Sequence, residues 1–269
     1  MRQVLRTAIA ALALASAGTA QAQEPVDVEL VLAVDVSLSM SHDELEIQRR
    51  GYAEALTDPT VLEAIQSGAH GRIAVTYFEW AGNTSHRVIV PWRIMADEAD
   101  AREIASQLSA NLPTGARRTS ISGALEFAGD LLAESGFQGM KRVIDVSGDG
   151  PNNQGAPVEG VRDALVEQGV TINGLPLMTR GGYGSVFDVT ELDKYYADCV
   201  IGGPAAFMIP VNDWPQFPEA VRRKLVLELA DAPPTEEKLP VVLAQAEPQT
   251  DCLIGEKIWR DRYRRWDLQ

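Results

Sequence analysis

The sequence predicts an α/β fold with a doubly wound, mostly parallel sheet, one antiparallel edge strand, and helices on both faces. Valine-rich apolar segments alternate along the chain with segments that have helical periodicity. The apolar segments are hydrophobic nearly throughout, which is typical of strands covered on both faces. Two of them flank a short loop with Gly82 and Asn83, a hairpin signal that predicts one antiparallel strand at an edge.

Local signals mark the limits of several elements. Ser41 and Glu44 form a capping-box pattern at the start of the first helix, and Pro59 follows its end. Gly169 follows the end of a later helix. The predicted strands are residues 28–36, 71–81, 85–92, 141–147, 170–178 and 205–211. The predicted helices are residues 41–58, 97–111, 119–135, 156–169, 188–200 and 217–231.

The first 22 residues have the features of a secretory signal peptide. Arg2 and Arg6 precede a short apolar stretch, and "AQA" ends at Ala22 with the small-x-small form of a cleavage site. We therefore expect cleavage after Ala22 and a secreted or periplasmic protein. The remaining chain has no apolar run long enough to span a membrane, so we expect no membrane span in the mature protein.

Composition narrows the classes of partner. The formal net charge is −14, which makes nucleic acid and anionic lipid surfaces poor partners. Such acidity is compatible with cation binding, although its usual meaning is solubility.

The chain has two cysteines, Cys199 and Cys252. In an exported protein an even pair is more often bridged than free, so we expect a disulfide that fastens the C-terminal tail to the body. The alternative is two buried free thiols. The three histidines show no metal-ligand spacing with the cysteines, which argues against a zinc site.

Unusual polar residues follow two of the predicted strands. The strand at 28–36 ends in Asp35-x-Ser37-x-Ser39, the strand at 141–147 is followed by Asp149, and Thr119 begins a helix after a loop. In open α/β sheets, binding sites lie beyond the carboxyl ends of the strands. Two carboxylates and three hydroxyls are oxygen donors that suit a hard cation such as Mg²⁺. The simpler interpretation makes Ser39 and Thr119 helix caps and Asp149 a turn residue.

These residues resemble the von Willebrand factor A (vWA) domain and its metal-ion-dependent adhesion site (MIDAS), over about residues 27–231. The segments "VIDVSGDGPNNQG" and "CVIGGPAAFMIP" further resemble the exported bacterial DUF1194 family. The resemblance implies that Asp35, Ser37, Ser39, Thr119 and Asp149 bind Mg²⁺ or Mn²⁺, with an acidic residue of a partner protein completing the coordination. It also divides the chain into a vWA-like domain at 23–231 and a C-terminal tail at 232–269 that packs on it.

The sequence departs from the vWA pattern at two places. "SGDG" replaces the usual threonine-aspartate-glycine, which changes the residue before Asp149 but not the ligand. Arg117 and Arg118 lie beside Thr119, where inward-pointing side chains would compete with a cation or favour an acidic ligand. Asp145 is a further charge within an apolar strand, for which we expect a hydrogen bond to a neighbouring backbone group or to an arginine such as Arg142 or Arg72.

The favoured function is therefore a binding module, not an enzyme, that recognises a protein through its cation. A magnesium-dependent hydrolase is the first alternative, since some phosphatases place a nucleophilic aspartate where Asp35 lies. However, Ser37 stands where such enzymes have a second aspartate, and an acid-base lysine near the site is not evident. A second alternative is a structural protein that the metal stabilises.

Overall fold

The computed structural model describes residues 23–110, 113–179, 189, 191–229, 240–244 and 250–266. Residues 263–266 are described without their side chains. The predicted signal segment, residues 1–22, lies outside this range. Within the described chain, no helix has the length and apolar character that crossing a bilayer requires.

A seven-stranded sheet forms the centre of the fold, in the order β3-β2-β1-β4-β5-β6-β7. All neighbouring strands pair in parallel except the two outermost, β3 and β7, which are antiparallel to β2 and β6. The strands are β1 Glu24–Asp35, β2 Ile73–Trp80, β3 His86–Met95, β4 Phe137–Gly148, β5 Val170–Pro176, β6 Phe207–Met208 and β7 Val242–Leu243. The predicted fold class is confirmed, and β7 is a second antiparallel edge strand that the sequence analysis missed.

Helices cover both faces of the sheet. They are α1 His42–Leu56, α2 Pro59–Gln66, α3 Glu98–Ser109, α4 Ile121–Ala133, α5 Val158–Glu167, α6 Leu192–Tyr195, α7 Phe217–Leu229 and α8 Ile254–Trp266. A π-helical segment, Tyr196–Val200, continues α6. Helices α1, α2, α3 and α7 pack on one face, and α4, α5 and α6 with the π-helical segment pack on the other.

The central strand β1 shows why the sequence is apolar without interruption. Leu30, Leu32 and Val34 belong to the core beneath α1 and α7, whereas Val31 and Ala33 belong to the core beneath α4. Successive side chains of a strand point to opposite faces, so a strand with helices on both sides needs apolar residues at every position. Its position between β2 and β4 places the carboxyl end of β1 at the middle of the sheet.

The predicted capping box is present. The Ser41 hydroxyl accepts from the Glu44 N–H at 3.3 Å, and the Glu44 carboxylate accepts from the Ser41 N–H at 2.7 Å. Pro59, however, does more than follow a helix. It is the first residue of α2, which the sequence analysis missed, and Asp58 caps that helix through the Thr60 N–H at 2.8 Å.

The edges of the sheet are irregular. The register of β3 against β2 shifts opposite Thr76, where Pro91 and Trp92 form a bulge. At the other edge, β6 has two residues instead of the predicted seven at 205–211, and β7 has two as well.

A disulfide joins Cys199 to Cys252, with a Cα–Cα distance of 5.5 Å that is usual for such bonds. The prediction of a bridge is thus confirmed, and the alternative of two free thiols is wrong. The bridge connects the π-helical segment to the residues just before α8.

Candidate functional site

Asp35 ends β1 and is fully buried, with 0% of its surface exposed. One carboxylate oxygen, Oδ1, accepts the backbone N–H of Ser37 at 2.7 Å. The other, Oδ2, is buried and has no hydrogen-bond partner among the described residues. A buried carboxylate oxygen is costly when unsatisfied, so this atom is a candidate position for a ligand from outside the described residues.

The two serines after Asp35 converge on Asp149. The hydroxyls of Ser37 and Ser39 lie 2.9 Å apart. Ser39 donates to Oδ1 of Asp149 at 2.8 Å, and Ser37 is 3.4 Å from the same oxygen. The structure therefore brings together four of the five predicted site residues, Asp35, Ser37, Ser39 and Asp149, although Asp149 lies 110 residues after Ser39 in the sequence.

Gly148 lets the end of β4 approach Asp35. A Cβ atom at this position would lie 3.0 Å from Oδ2 of Asp35 and 2.9 Å from the hydroxyl of Tyr196. Any side chain there would occupy the space beside the unsatisfied oxygen. The space next to Oδ2 thus depends on a glycine immediately before Asp149.

Thr119 lies on the loop that connects these segments. Ala116 of this loop exchanges backbone hydrogen bonds with Val36 and Leu38, both at 2.9 Å. The backbone of Thr119 bonds to Asn153, by donating to its side-chain oxygen at 3.1 Å and accepting from its N–H at 2.8 Å. No described contact joins the Thr119 hydroxyl to the other four candidate residues, and the ligand role of all five stays a prediction.

The cap of α4 is not Thr119. Ser120 caps this helix, with its hydroxyl accepting the Gly123 N–H at 3.1 Å. The helix therefore begins at Ile121, two residues later than predicted. Because the neighbouring serine already satisfies the helix terminus, the capping interpretation of Thr119 is removed.

The electrostatics of the site favour a cation. Burial raises the pKa of Asp35 well above the ordinary aspartate value, and the nearby negative charge of Asp149 raises it further. Among the described residues there is no group of three or more histidine, cysteine, aspartate or glutamate side chains that could hold a metal. The donors are instead two carboxylates and several hydroxyls, a set that fits Mg²⁺ or Mn²⁺ and lacks the nitrogen and sulfur ligands of structural zinc sites.

Of the two arginines beside Thr119, Arg118 packs against an aromatic ring of α8. Arg117 is exposed, and the guanidinium carbon of Arg118 lies 3.4 Å from the ring centroid of Trp259 in α8. Arg118 also adopts a positive φ of 78°, which is unusual for a residue other than glycine. A residue of uncommon backbone conformation, with its side chain against Trp259, thus lies directly before Thr119.

Asp145 has a different partner from those predicted. Its Oδ1 lies 2.7 Å from Nζ of Lys224 in α7. The expected pairing with Arg142 or Arg72 is wrong: Arg142 donates to the Gln168 carbonyl, and Arg72 pairs with Glu24 at 3.0 Å. The correct partner could not be recognised locally, since it comes from a helix distant in sequence.

Asn152 and Tyr196 are two residues of the site region whose roles emerge only from the structure. Asn152 is fully buried, and its side chain bonds to Ser122, to the Ala156 carbonyl and to Glu256 of α8. Tyr196 places its hydroxyl beside Gly148. The turn-like composition of "SGDGPNNQG" predicts a loop at Asn152 but not its partners, and the sequence around Tyr196 contains no such signal.

Solved structures of other proteins share the fold. The pilus adhesin SpaC from Lactobacillus rhamnosus GG matches with a TM-score of 0.54 at 13% identity, over 78% of this chain and 31% of that chain. A von Willebrand factor type A protein from Catenulispora acidiphila matches with a TM-score of 0.49 at 15% identity, over 76% of this chain and 43% of the other. Proximal thread matrix protein 1 from the mussel byssus has a TM-score of 0.48 at 17% identity, over 77% and 49%. One structure of that mussel protein has a zinc-occupied MIDAS motif.

The chain spans about half or less of the length of these three structures. At such identities the likeness concerns the fold alone. No curated protein matches the sequence at a significant level.

The sheet and its two helical layers make the fold vWA-like, as the resemblance in the sequence implied. The sequence also matches a family over residues 25–233, which is most of its length. The chain accordingly belongs to the family described as protein of unknown function (DUF1194).

Proposed function

We propose that this protein binds a divalent cation, Mg²⁺ or Mn²⁺, through Asp35, Ser37, Ser39, Thr119 and Asp149, and uses it to recognise another protein. The observation that carries the proposal is the buried Oδ2 of Asp35, which has no hydrogen-bond partner in the described chain and lies beside the Ser37–Ser39–Asp149 cluster. A cation would neutralise the two carboxylates that now raise each other's energy.

The role of each residue at the cation would follow from how deeply that residue is buried. Asp35 lies at the closed base of the site, whereas Ser39 is exposed and Asp149 is half-buried. The hydroxyls of Ser37 and Ser39 and the carboxylate of Asp149 are hydrogen-bonded to one another. With an ion bound, the same oxygen atoms would turn toward the ion instead. The open side, next to Ser39, is where a ligand from outside would complete the coordination.

The partner class follows from charge and from one exposed side chain. A chain with a net charge of −14 repels an acidic group unless a cation lies between them, so recognition of an acidic residue would depend strictly on the metal. Leu38, between the two serines, is 60% exposed and would add an apolar contact beside the ion. We therefore propose a protein partner that supplies a carboxylate next to an apolar residue.

The burial of Asp35 argues against the hydrolase alternative. A nucleophilic carboxylate must reach the phosphorus atom of its substrate, but this side chain is 0% exposed. Magnesium-dependent phosphatase turnover that disappears in Asp35→Asn would reverse this preference.

We also propose export after cleavage behind Ala22, on the strength of the sequence of residues 1–22, and a vWA-like domain at 23–231 with the tail packed on it. The contact between Asn152 and Glu256 supports the packing of the tail. Mass spectrometry of the exported protein tests the first point, since its N-terminal residue should be Gln23.

The cation is tested by calorimetric titration of the metal-free protein with Mg²⁺, Mn²⁺ and, because the mussel protein holds it, Zn²⁺. Asp149→Ala should abolish binding. Asp130→Ala, which removes the same charge from the exposed surface of α4, is the matched control and should bind like wild type.

The partner is tested by affinity capture from the exported fraction, with and without EDTA. A partner retained by wild type and by Asp130→Ala, and lost with EDTA or in Asp149→Ala, supports cation-dependent recognition. Equal capture under all conditions would contradict it.

A further inference from the structure

The C-terminal segment contacts both loops of the candidate site. We call Cys252 together with α8 (Ile254–Trp266) the C-terminal clamp. Trp259 stacks on Arg118, the residue before Thr119, at 3.4 Å. Glu256 accepts a hydrogen bond from Asn152, three residues after Asp149, at 2.7 Å. One helix therefore contacts the two segments that contribute Thr119 and Asp149.

The disulfide anchors the chain just before this helix. The Tyr195 hydroxyl lies 3.4 Å from the carbonyl of Cys252 and accepts the Asn152 N–H at 3.2 Å. Cys199, in the adjoining π-helical segment, is bonded to Cys252. Tyr195, the bridge and α8 thus form a continuous support around Asn152.

The contact between the C-terminal clamp and the Asp149 loop is close enough to involve backbone atoms. A Cβ atom on Gly255 would lie only 2.0 Å from the carbonyl oxygen of Asn152. A separation this short leaves no room for any side chain, so the first turn of α8 must rest directly on the loop. The family match ends at residue 233, so the C-terminal clamp lies outside the matched region.

We propose that the C-terminal clamp is a positioning element of the cation site: it sets the Thr119 and Asp149 loops without supplying a ligand, and thereby raises the affinity for the cation. The proposal rests on the proposed function. Its physical basis is that residues which orient the ligands of a metal typically change its affinity by about 10- to 100-fold. Arg118 is the point of contact on the Thr119 side: it has a positive φ, a conformation that costs energy in a residue other than glycine, and Trp259 packs on its guanidinium.

The sharpest test inserts one methyl group between α8 and the loop. Gly255→Ala is compared with Gly160→Ala, a glycine of α5 whose added Cβ would meet nothing within 4 Å. Both glycines lie in the first turn of a helix, so the two changes have similar effects on helix propensity and differ in the contacts of the added Cβ with Asn152 and Pro151. We expect the dissociation constant for Mg²⁺ or Mn²⁺ to rise by about tenfold or more in Gly255→Ala and to stay at the wild-type value in Gly160→Ala.

A second measurement needs no cation. Hydrogen exchange of residues 115–121 and 149–156, followed by mass spectrometry in EDTA, should be faster in Gly255→Ala than in wild type or Gly160→Ala. Unchanged exchange and unchanged affinity in Gly255→Ala would overturn the positioning role while leaving cation binding by wild type intact. Absence of cation binding by wild type would instead refute the proposed function and the affinity effect, and the exchange rates would still decide whether the C-terminal clamp holds the loops.

A variant pair at Trp259 keeps the proposal testable if Gly255→Ala fails to fold. Trp259→Ala should weaken cation binding, whereas Trp259→Phe, which keeps an aromatic face for Arg118, should restore most of it. Asp261→Ala, an exposed change on the same helix, is the control for a general loss of helix stability. Equal affinities in the three variants would contradict the role of the stacking contact.

Discussion

Asp35 and Asp145 are both fully buried carboxylates on adjacent strands, but they differ in the side chains that contact them. Asp145 of β4 is paired with Lys224 at 2.7 Å, and Lys224 also contacts Glu228, one turn further along α7. Asp35 of β1 accepts the backbone N–H of Ser37 and has no cationic side chain among its described contacts. The described residues therefore provide a positive charge for Asp145 but none for Asp35.

The surroundings of Asp145 form a closed ionic cluster. Lys224 is 0% exposed, and Glu228 also accepts from the Asn173 side chain at 2.9 Å. Burial raises the pKa values of both Asp145 and Glu228, while the charge of Lys224 lowers them. For Asp35 the largest charge nearby is that of Asp149, which raises its pKa instead of lowering it. Among the described residues, the carboxylate proposed to bind a cation is thus the one without a positively charged partner, and the paired carboxylate is structural.

The largest effect should follow from breaking the internal pair. Lys224→Met leaves Asp145 and Glu228 buried without their cation, so we expect the free energy of unfolding to fall by about 3–5 kcal/mol. Urea denaturation measures it. The triple variant Asp145→Asn, Lys224→Met, Glu228→Gln should recover most of the loss, and a fall of less than about 1 kcal/mol in the single variant would contradict the role of the pair.

Asp35→Asn should have the opposite effect on stability from Asp145→Asn. The raised pKa means that ionised Asp35 destabilises the metal-free fold at neutral pH, so its replacement should stabilise the protein in EDTA by about 1 kcal/mol or more. Asp145→Asn should destabilise it, because Lys224 loses a partner. Denaturation of both variants in EDTA tests this, and the same sign for the two would remove the distinction between these carboxylates.

Cation binding should weaken as the pH falls. The metal requires ionised Asp35, whose pKa is raised above the ordinary 3.8, so affinity should decrease on acidification through that higher value and binding should release protons. In the metal-free protein the sign is reversed: the contribution of Asp35 to stability is lost as the pH rises from its unfolded pKa through its folded pKa. Titrations in buffers of different ionisation enthalpy count the protons, and Asp35→Asn is the control that should release none from this site.

The smallest effects are expected from substitutions of two nearby serines, Ser39 and Ser41. Ser41→Ala removes the cap of α1 and should lower the free energy of unfolding by about 1 kcal/mol with no change in cation affinity. Ser39→Ala should do the reverse, because its hydroxyl contacts Ser37 and Asp149 and not the helix terminus. Denaturation and cation titration of both variants check this, and a loss of affinity in Ser41→Ala would contradict the separation.

The sequence was sufficient where the determinants are local or periodic. The uninterrupted apolar run of β1 predicted a strand covered on both faces, and Ser41 with Glu44 predicted the start of α1. Four of the five site residues are in contact as expected, because the carboxyl ends of neighbouring parallel strands meet.

Other features depend on contacts between distant segments. Lys224 as the partner of Asp145, and Trp259 as the partner of Arg118, follow from how helices pack and not from any local pattern. Pro59 is a signal of a helix end in the sequence, but in the structure Asp58 before it caps a new helix. A proline after a capping residue supports either interpretation until the packing of the next segment is known.

The edges of the sheet bear on how a partner could bind. Some recognition domains accept a peptide as an additional strand, which requires a straight edge with free backbone groups. Here one edge carries the bulge at Pro91, and the other has a strand of two residues, Val242–Leu243. Both are poor templates for strand addition, the same features by which proteins avoid joining edge to edge into fibres. A partner that avoids these edges is free to approach the loops at the carboxyl ends of the strands, where surface side chains, and not main-chain pairing, would decide which proteins are accepted.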